Sequence, residues 1–364
     1  MLVYWLLLAA LSLGTLIYQR RYRLDGDHNL AIDDQLRNNL GFAAILVAIT
    51  LLIGFRYRVG GDWNVYKFWF GEIGRLPFRL ALKRSPDEWG YTILNWVVAR
   101  LGVQLWLVNL VCALPFMAGL AALCRDQPNP WLALLVATPL LVIVVGMGYT
   151  RQATALGFML IGLVGISRGR AFWWFVVWTL VGSLFHESVL LFIPVVPLFL
   201  LRLSGFSLLL LAAAAAFGYL FVLPHTVEHY SRGYINQVYL AKGAIYRIAP
   251  NTITALIPLL FRRRFEGSRT ELKIWRGFAY CALLIQIAYF EIASTVILDR
   301  ISAYVLPLQV WVWSRLPTAF GQNRQPSLAV TALVIGYSAL VLGLWLMFAT
   351  HSRYWIPYRV YPLS

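Results

Sequence analysis

The sequence predicts an all-α fold, a polytopic transmembrane bundle of about twelve spans, and three observations predict it. Apolar residues fill 60% of the 364 positions and charged ones only 13%, with a mean hydropathy of +0.69. That is more apolar surface than a soluble core of this length can hide. The apolar residues fall in long runs separated by short polar gaps, and arginine gathers in the gaps. The net charge of +16 would suggest nucleic acid in a soluble protein, but its placement between apolar runs suits anionic headgroups or an anionic substrate. No nucleic-acid partner is expected.

A spanning helix needs about 20 apolar residues. The candidate spans are 2–18, 40–55, 103–123, 131–147, 151–167, 171–185, 187–201, 206–223, 249–261, 277–297, 301–316 and 328–350. The shorter ones are tolerable where neighbouring protein covers the backbone, and 171–201 reads equally well as one long broken helix. The first run lacks a basic leader and a small-x-small cleavage site and is followed by Arg20, Arg21 and Arg23, so it reads as a span with a cytoplasmic stop. Residues 1–364 form a single membrane domain in this reading. Residues 56–102 form an outer loop with an amphipathic interfacial helix over 91–102, and 224–251 form a second outer loop. Cys112, Cys124 and Cys281 lie in or beside apolar runs without ligand spacing, which argues against both a disulfide framework and a zinc site.

Sidedness follows from the arginines. Gaps 19–39, 124–130, 168–170, 202–205, 262–276 and 314–327 carry nearly the same number of basic residues as the other gaps, but at higher density. The clusters Arg20-Arg21, Arg168-x-Arg170 and Arg262-Arg263-Arg264 therefore mark the cytoplasmic side, with both termini outside.

The opposite set of gaps collects the conspicuous polar groups: Arg56, Arg58, Gly60-Gly61-Asp62-Trp63, Tyr66, Asp87-Glu88, Tyr91, Arg151-Gln152, His186-Glu187-Ser188, Asp299-Arg300 and Trp355-x-x-Tyr358. Charges at a membrane edge pair with one another or serve a substrate. Their recurrence on one face predicts a single site.

The same residues carry a resemblance. Gly54-Phe-Arg56, Val59-Gly-Gly-Asp-Trp63 with Tyr66, then Glu88, Arg151-Gln152, His186-x-Ser188, Asp299-Arg300 with Tyr304, and Pro357-Tyr358 resemble, in order, the motifs of the EpsG family. The family pattern often has Gly-Thr-Asp-Tyr where this chain has Gly60-Gly61-Asp62-Trp63. Such proteins are similar to Wzy polymerases. The resemblance implies a glycosyltransferase-C-like fold and a metal-independent, cofactor-free, inverting transfer that joins polyprenyl-diphosphate-linked oligosaccharides on the outer face of a bacterial inner membrane. Membrane lipid, a flippase and a chain-length regulator are the partners it implies.

Within that chemistry, Arg56, Arg58, Arg151 and Arg300 are candidates to hold the diphosphate, because guanidinium groups match phosphate oxygens and stay charged. Asp62, Glu88, His186 and Glu187 are eligible as the base that takes the acceptor proton, with Asp62 and His186 favoured and the choice between them open. Trp63, Tyr66, Gln152, Ser188, Asp299, Tyr304 and Tyr358 are candidate sugar contacts or supports. Each has a plain structural alternative. Arg56 and Arg58 can reach headgroups, Glu88 can cap a helix, His186 can pair with Glu187, Asp299 can pair with Arg300, and the aromatics can form an interfacial belt. Arg151 at a helix start opposes the macrodipole unless an anion binds there. His225 and His229 have metal-like i, i+4 spacing but no third ligand. Two other functions fit the pattern: a ligase passing finished polymer to another acceptor, and a transporter of an anionic solute, which predicts midplane polar groups.

Overall fold

The computed structural model describes residues 1–24, 32–200, 245–291, 295–322 and 325–363. The expected span 206–223 and most of the loop 224–251, including His225 and His229, lie outside the described residues.

Helices α1 (Leu2–Leu24) and α2 (Ile32–Gly54) lead to three short ones, α3 (Trp63–Arg75), α4 (Phe78–Arg84) and α5 (Trp89–Arg100). There follow α6 (Leu105–Arg125), α7 (Pro130–Ala137) continued by a π-helix over Thr138–Gly146, α8 (Thr150–Ser167) and α9 (Phe172–Ser183). A 3-10 turn, Glu187–Leu191, opens α10 (Phe192–Leu200). The remainder is α11 (Ile245–Leu260), α12 (Arg269–Glu291), α13 (Thr295–Ala303), α14 (Pro307–Ala319) and α15 (Leu328–Phe348). Among the described residues no strand forms, only isolated bridges at Arg56–Val360 and Gln322–Gln325.

Among the described residues, three helices are long and apolar enough to cross a membrane: Leu2–Arg20, Leu105–Arg125 and Leu328–Phe348. Five shorter apolar helices accompany them, among them Pro130–Gly146 and Phe172–Ser183. Several sequence boundaries need correction. Residues 56–102 hold three short helices, α3, α4 and α5, where one interfacial helix over 91–102 was expected. Helix α12 begins inside the expected gap 262–276, residues 245–251 belong to α11, and Asp299-Arg300 lie within α13 instead of ending a run.

The centre of the bundle is α7. Its residues Leu132 to Val145 are buried all round, as expected of a helix apolar on every face. Asn129 caps it by accepting from the Leu132 amide at 3.1 Å, with Pro130 in the first turn, where no amide is needed. Pro139 has no amide for the ladder, and the helix runs on through π-turns to Gly146.

Beside it, α6 and α8 cross at Gly119 and Gly157, where a Cβ on either would collide with the other helix's backbone. Small residues allow this approach in the absence of a hydrophobic drive between lipid-immersed helices. Gly157→Leu is therefore expected to abolish accumulation of folded protein in the membrane, since backbone atoms of Pro115 and Phe116 cannot swing aside as a side chain would. Size-exclusion profiles of solubilised variant and parent would check it.

The two ends of the bundle differ in chemistry. At one end the arginine-rich gaps meet. Buried Arg315 donates to Gln127 Oε1 at 2.8 Å, Glu271 Oε1 at 2.6 Å and the Glu266 carbonyl, while Arg168 pairs with Asp126. Gln19 donates to the Pro326 carbonyl at the same end. The sequence grouping of these gaps on one face thus has a physical counterpart. The other end carries the candidate site.

Candidate functional site

The site is assembled from segments far apart in the chain. Gly60 adopts φ +110°, and a Cβ there would lie 2.5 Å from the Met147 carbonyl, so only glycine fits this approach. The turn delivers Asp62 to the head of α3. Its side chain caps nothing, although the Trp63 and Tyr66 amides bond back to the Gly60 and Asp62 carbonyls. Asp62 stays partly exposed and lies in the field of Arg300, Arg151 and His351. Burial pushes its carboxyl above the usual carboxylate range, and those three cations pull it back.

Arg151, in the first turn of α8, meets Asp87 at 2.9 Å and Glu88 at 2.7 Å, with Tyr91 beneath its guanidinium at 6.0 Å. The anion that offsets the helix dipole is supplied by the protein itself. Arg151 Nε is buried without a partner. Glu88 stands at the N-cap position of α5 yet makes no cap bond. Its Oε2 takes Arg151, while Oε1 accepts from the Glu187 amide at 3.1 Å and lies 3.6 Å from His186 Nδ1. One carboxylate therefore ties α5, α8 and the α9–α10 hairpin together.

His186 Nδ1 faces Ser188 Oγ at 3.1 Å and lies 3.6 Å from Glu88 Oε1. Its Nε2 is buried without a partner, whereas Glu187 is exposed. Ser188 donates to the Tyr304 hydroxyl at 3.1 Å, and Gln152 donates to the Arg300 carbonyl at 2.5 Å, which fixes α13 against α8. Asp299 and Arg300 are half-buried on α13, with Arg300 close enough to act electrostatically on Asp62, His186 and Tyr304.

Below this layer lies Arg56. It is 1% exposed and donates to the Ile53 carbonyl at 2.6 Å, Thr150 Oγ1 at 2.6 Å and Asn109 Oδ1 at 3.1 Å. Arg58, by contrast, is exposed, stands over the Tyr57 ring at 5.3 Å, and holds the left-handed φ of +53° that non-glycine residues seldom adopt. Trp63 and Tyr66 are buried, the first edge-on to Tyr57 at 5.7 Å and the second 5.8 Å from the Tyr91 ring. Tyr358 lies at the periphery, donating to the Leu52 carbonyl at 2.6 Å and packing on Tyr4.

Sequence reasoning placed Asp87 and Thr150 in the polar clusters without assigning either a role, and it missed Asn109 and His351. Asn109 had a legible signal, a lone amide within an otherwise apolar 21-residue helix. His351 had none.

A bundle of apolar helices that carries, among the described residues, a buried, charged and aromatic-lined cluster at one end defines a polytopic membrane protein. The EpsG family model matches residues 39–360, and the chain belongs to the EpsG family. No curated protein and no solved structure matches it.

Proposed function

We propose that this protein is a glycosyltransferase that polymerises polyprenyl-diphosphate-linked oligosaccharides into an exopolysaccharide or O-antigen-type polymer. In this reading it crosses a bacterial inner membrane about twelve times in a glycosyltransferase-C-like bundle, with the site facing away from the cytoplasm. A flippase supplies its donor and a chain-length regulator acts beside it. The observation that carries the proposal is the gathering of Asp62, Glu88, Arg151, His186, Ser188, Arg300 and Tyr304 at one end of a family member's bundle.

In the reaction the acceptor hydroxyl attacks the anomeric carbon of the donor sugar. The carbon–oxygen bond to the diphosphate breaks with inversion, and its electron pair leaves on the lipid diphosphate. The acceptor proton passes to a base. Position favours Asp62 for that role: it is partly exposed and lies in the field of Arg300 and Arg151, while His186 Nε2 is enclosed, Glu88 is already engaged by Arg151, and the Glu187 side chain is turned to the exposed surface. Burial raises the Asp62 pKa, and the neighbouring Arg300 and Arg151 oppose that rise by favouring the ionised carboxylate.

Arg300 and Arg58 neutralise the charge growing on the diphosphate, with Arg151 behind them, already half-satisfied by carboxylates. Arg56 supports from beneath, bonded to three protein acceptors, and Trp63, Tyr66 and Tyr304 shape the aromatic wall.

The test is incubation of the purified protein in lipid with polyprenyl-diphosphate oligosaccharide. A ladder of multiples with released lipid diphosphate supports polymerisation. Single transfer to an unrelated acceptor would favour the ligase, and solute flux without a new glycosidic bond would overturn both. Arg300→Ala is expected to lower kcat by about 10²-fold, the usual loss for one preorganised charge-stabilising group, read from the rate of lipid diphosphate release.

A further inference from the structure

We propose that the C-terminal segment 351–361 is part of the active site, and that Trp355 is a positioning residue fixing both the turn that carries Asp62 and the turn that starts the Arg151 helix. The inference rests on the functional reading above for its kinetic arm only.

The segment runs across the site end of the bundle as a strap. The Tyr57 amide donates to the Arg359 carbonyl at 2.9 Å and the Tyr361 amide to the Phe55 carbonyl at 2.8 Å, an antiparallel pairing with the chain leaving α2. Phe55 stacks on Trp106 at 4.8 Å, and Trp106 on Tyr361 at 6.1 Å, which holds the pairing from the side. Three residues nearer the catalytic turn, the Gly60 amide donates to the Tyr354 carbonyl at 3.0 Å. Gly60 is therefore gripped on two sides, by the strap and by the Met147 carbonyl.

Trp355 joins these contacts. Its side chain is 1% exposed, its Nε1 donates to the Ile143 carbonyl at 2.8 Å, and its ring lies over Gly148 so closely that a Cβ there would be 2.5 Å away. Its own carbonyl accepts from the Tyr4 hydroxyl at 2.8 Å, and Trp345 meets it edge-on at 5.0 Å. The ring thus sets the height of Met147–Gly148. From there the chain passes through Tyr149 and Thr150 to Arg151 in one direction and touches Gly60, two residues from Asp62, in the other. Asp62 and Arg151 come from segments some 90 residues apart, and a rigid aromatic wedged under both turns is what keeps them in register. His351, at the start of the strap, completes the arrangement by facing Asp62 electrostatically.

Two measurements test this. In the polymerase assay, Trp355→Phe removes the Nε1 bond while retaining an aromatic ring. It is expected to lower kcat by about tenfold or more with donor KM changed less than about twofold, as misplacement by a fraction of an ångström would do. A rise in KM alone, or unchanged kcat, would overturn the positioning role. The second measurement needs no activity. With Cys281→Ser as background and Asp62→Cys or Glu72→Cys introduced, the rate of maleimide labelling is compared with and without Trp355→Phe. A several-fold increase at position 62 with none at the exposed position 72 supports the strap as the clamp on that turn. Equal rates at position 62, or equal increases at both positions, would overturn it whether or not the protein polymerises sugars.

Discussion

Asp62→Asn is expected to lower kcat by about 10³-fold while leaving donor KM within about twofold, because a general base acts on the proton in flight and not on substrate binding. The loss should be larger than for any other single replacement at the site that leaves the fold intact. Asp62→Glu should restore part of the rate, since the extra methylene moves the carboxylate without removing it. The pH dependence supplies an independent check. A base works only when deprotonated, so activity should fall as pH drops through the Asp62 pKa. Burial raises that pKa, so the acid limb should lie above the range of an exposed aspartate, about 3.9. Removing the nearby positive charge by Arg300→Gln should move the limb further up, because Arg300 favours the ionised carboxylate. An acid limb unmoved by Arg300→Gln would assign the base elsewhere.

Arg151→Met is expected to cost more than catalysis. Asp87 and Glu88 sit against this guanidinium in a largely buried pocket, so removing it leaves two carboxylates without their cation. Breaking such a pair from one side typically costs about 3 kcal/mol, and here it should appear as a lowered thermal midpoint in detergent together with loss of polymer. Arg151→Met combined with Asp87→Asn and Glu88→Gln should recover much of the midpoint, because no unpaired charge remains, yet recover none of the activity. If the triple variant regains polymer, Arg151 serves the fold alone. If Arg151→Met keeps the parental midpoint, the pair is weaker than its geometry implies.

The membrane fold was legible because lipid exposure leaves a compositional signature that needs no tertiary knowledge: long apolar runs, with arginines gathered in the gaps between them and densest in one alternating set. The opposite-end contacts of Arg315, Gln127, Asp126 and Arg168 agree with that gap grouping. Helix ends were read less well. Gap 262–276 looked like a loop because Arg269, Lys273 and Arg276 are charged, yet Arg and Lys are good helix formers and α12 starts at Arg269. The site was legible as a set of polar residues at apolar-run boundaries, but not as a wiring diagram. Glu88 was open to two readings, a base or a helix cap; its partners, Arg151 and the Glu187 amide, lie 63 and 99 residues away. Spacing in the chain cannot encode such pairings. Likewise Arg56 and Arg58 looked alike in sequence, and only packing separates the buried one, bonded to Thr150 and Asn109, from the exposed one.

The pairing of residues 55–57 with 359–361 bears on how this protein is made. The two partners lie some 300 residues apart in the chain, and contacts so non-local carry a large loop-closure cost before they form. Until then the Phe55 carbonyl and the Tyr57 and Gly60 amides have no protein partner and must be hydrated, which hydrocarbon would not allow. Their place beyond the end of α2 meets that need. Assembly of this end of the bundle therefore waits on a contact between two segments that local structure alone cannot bring together.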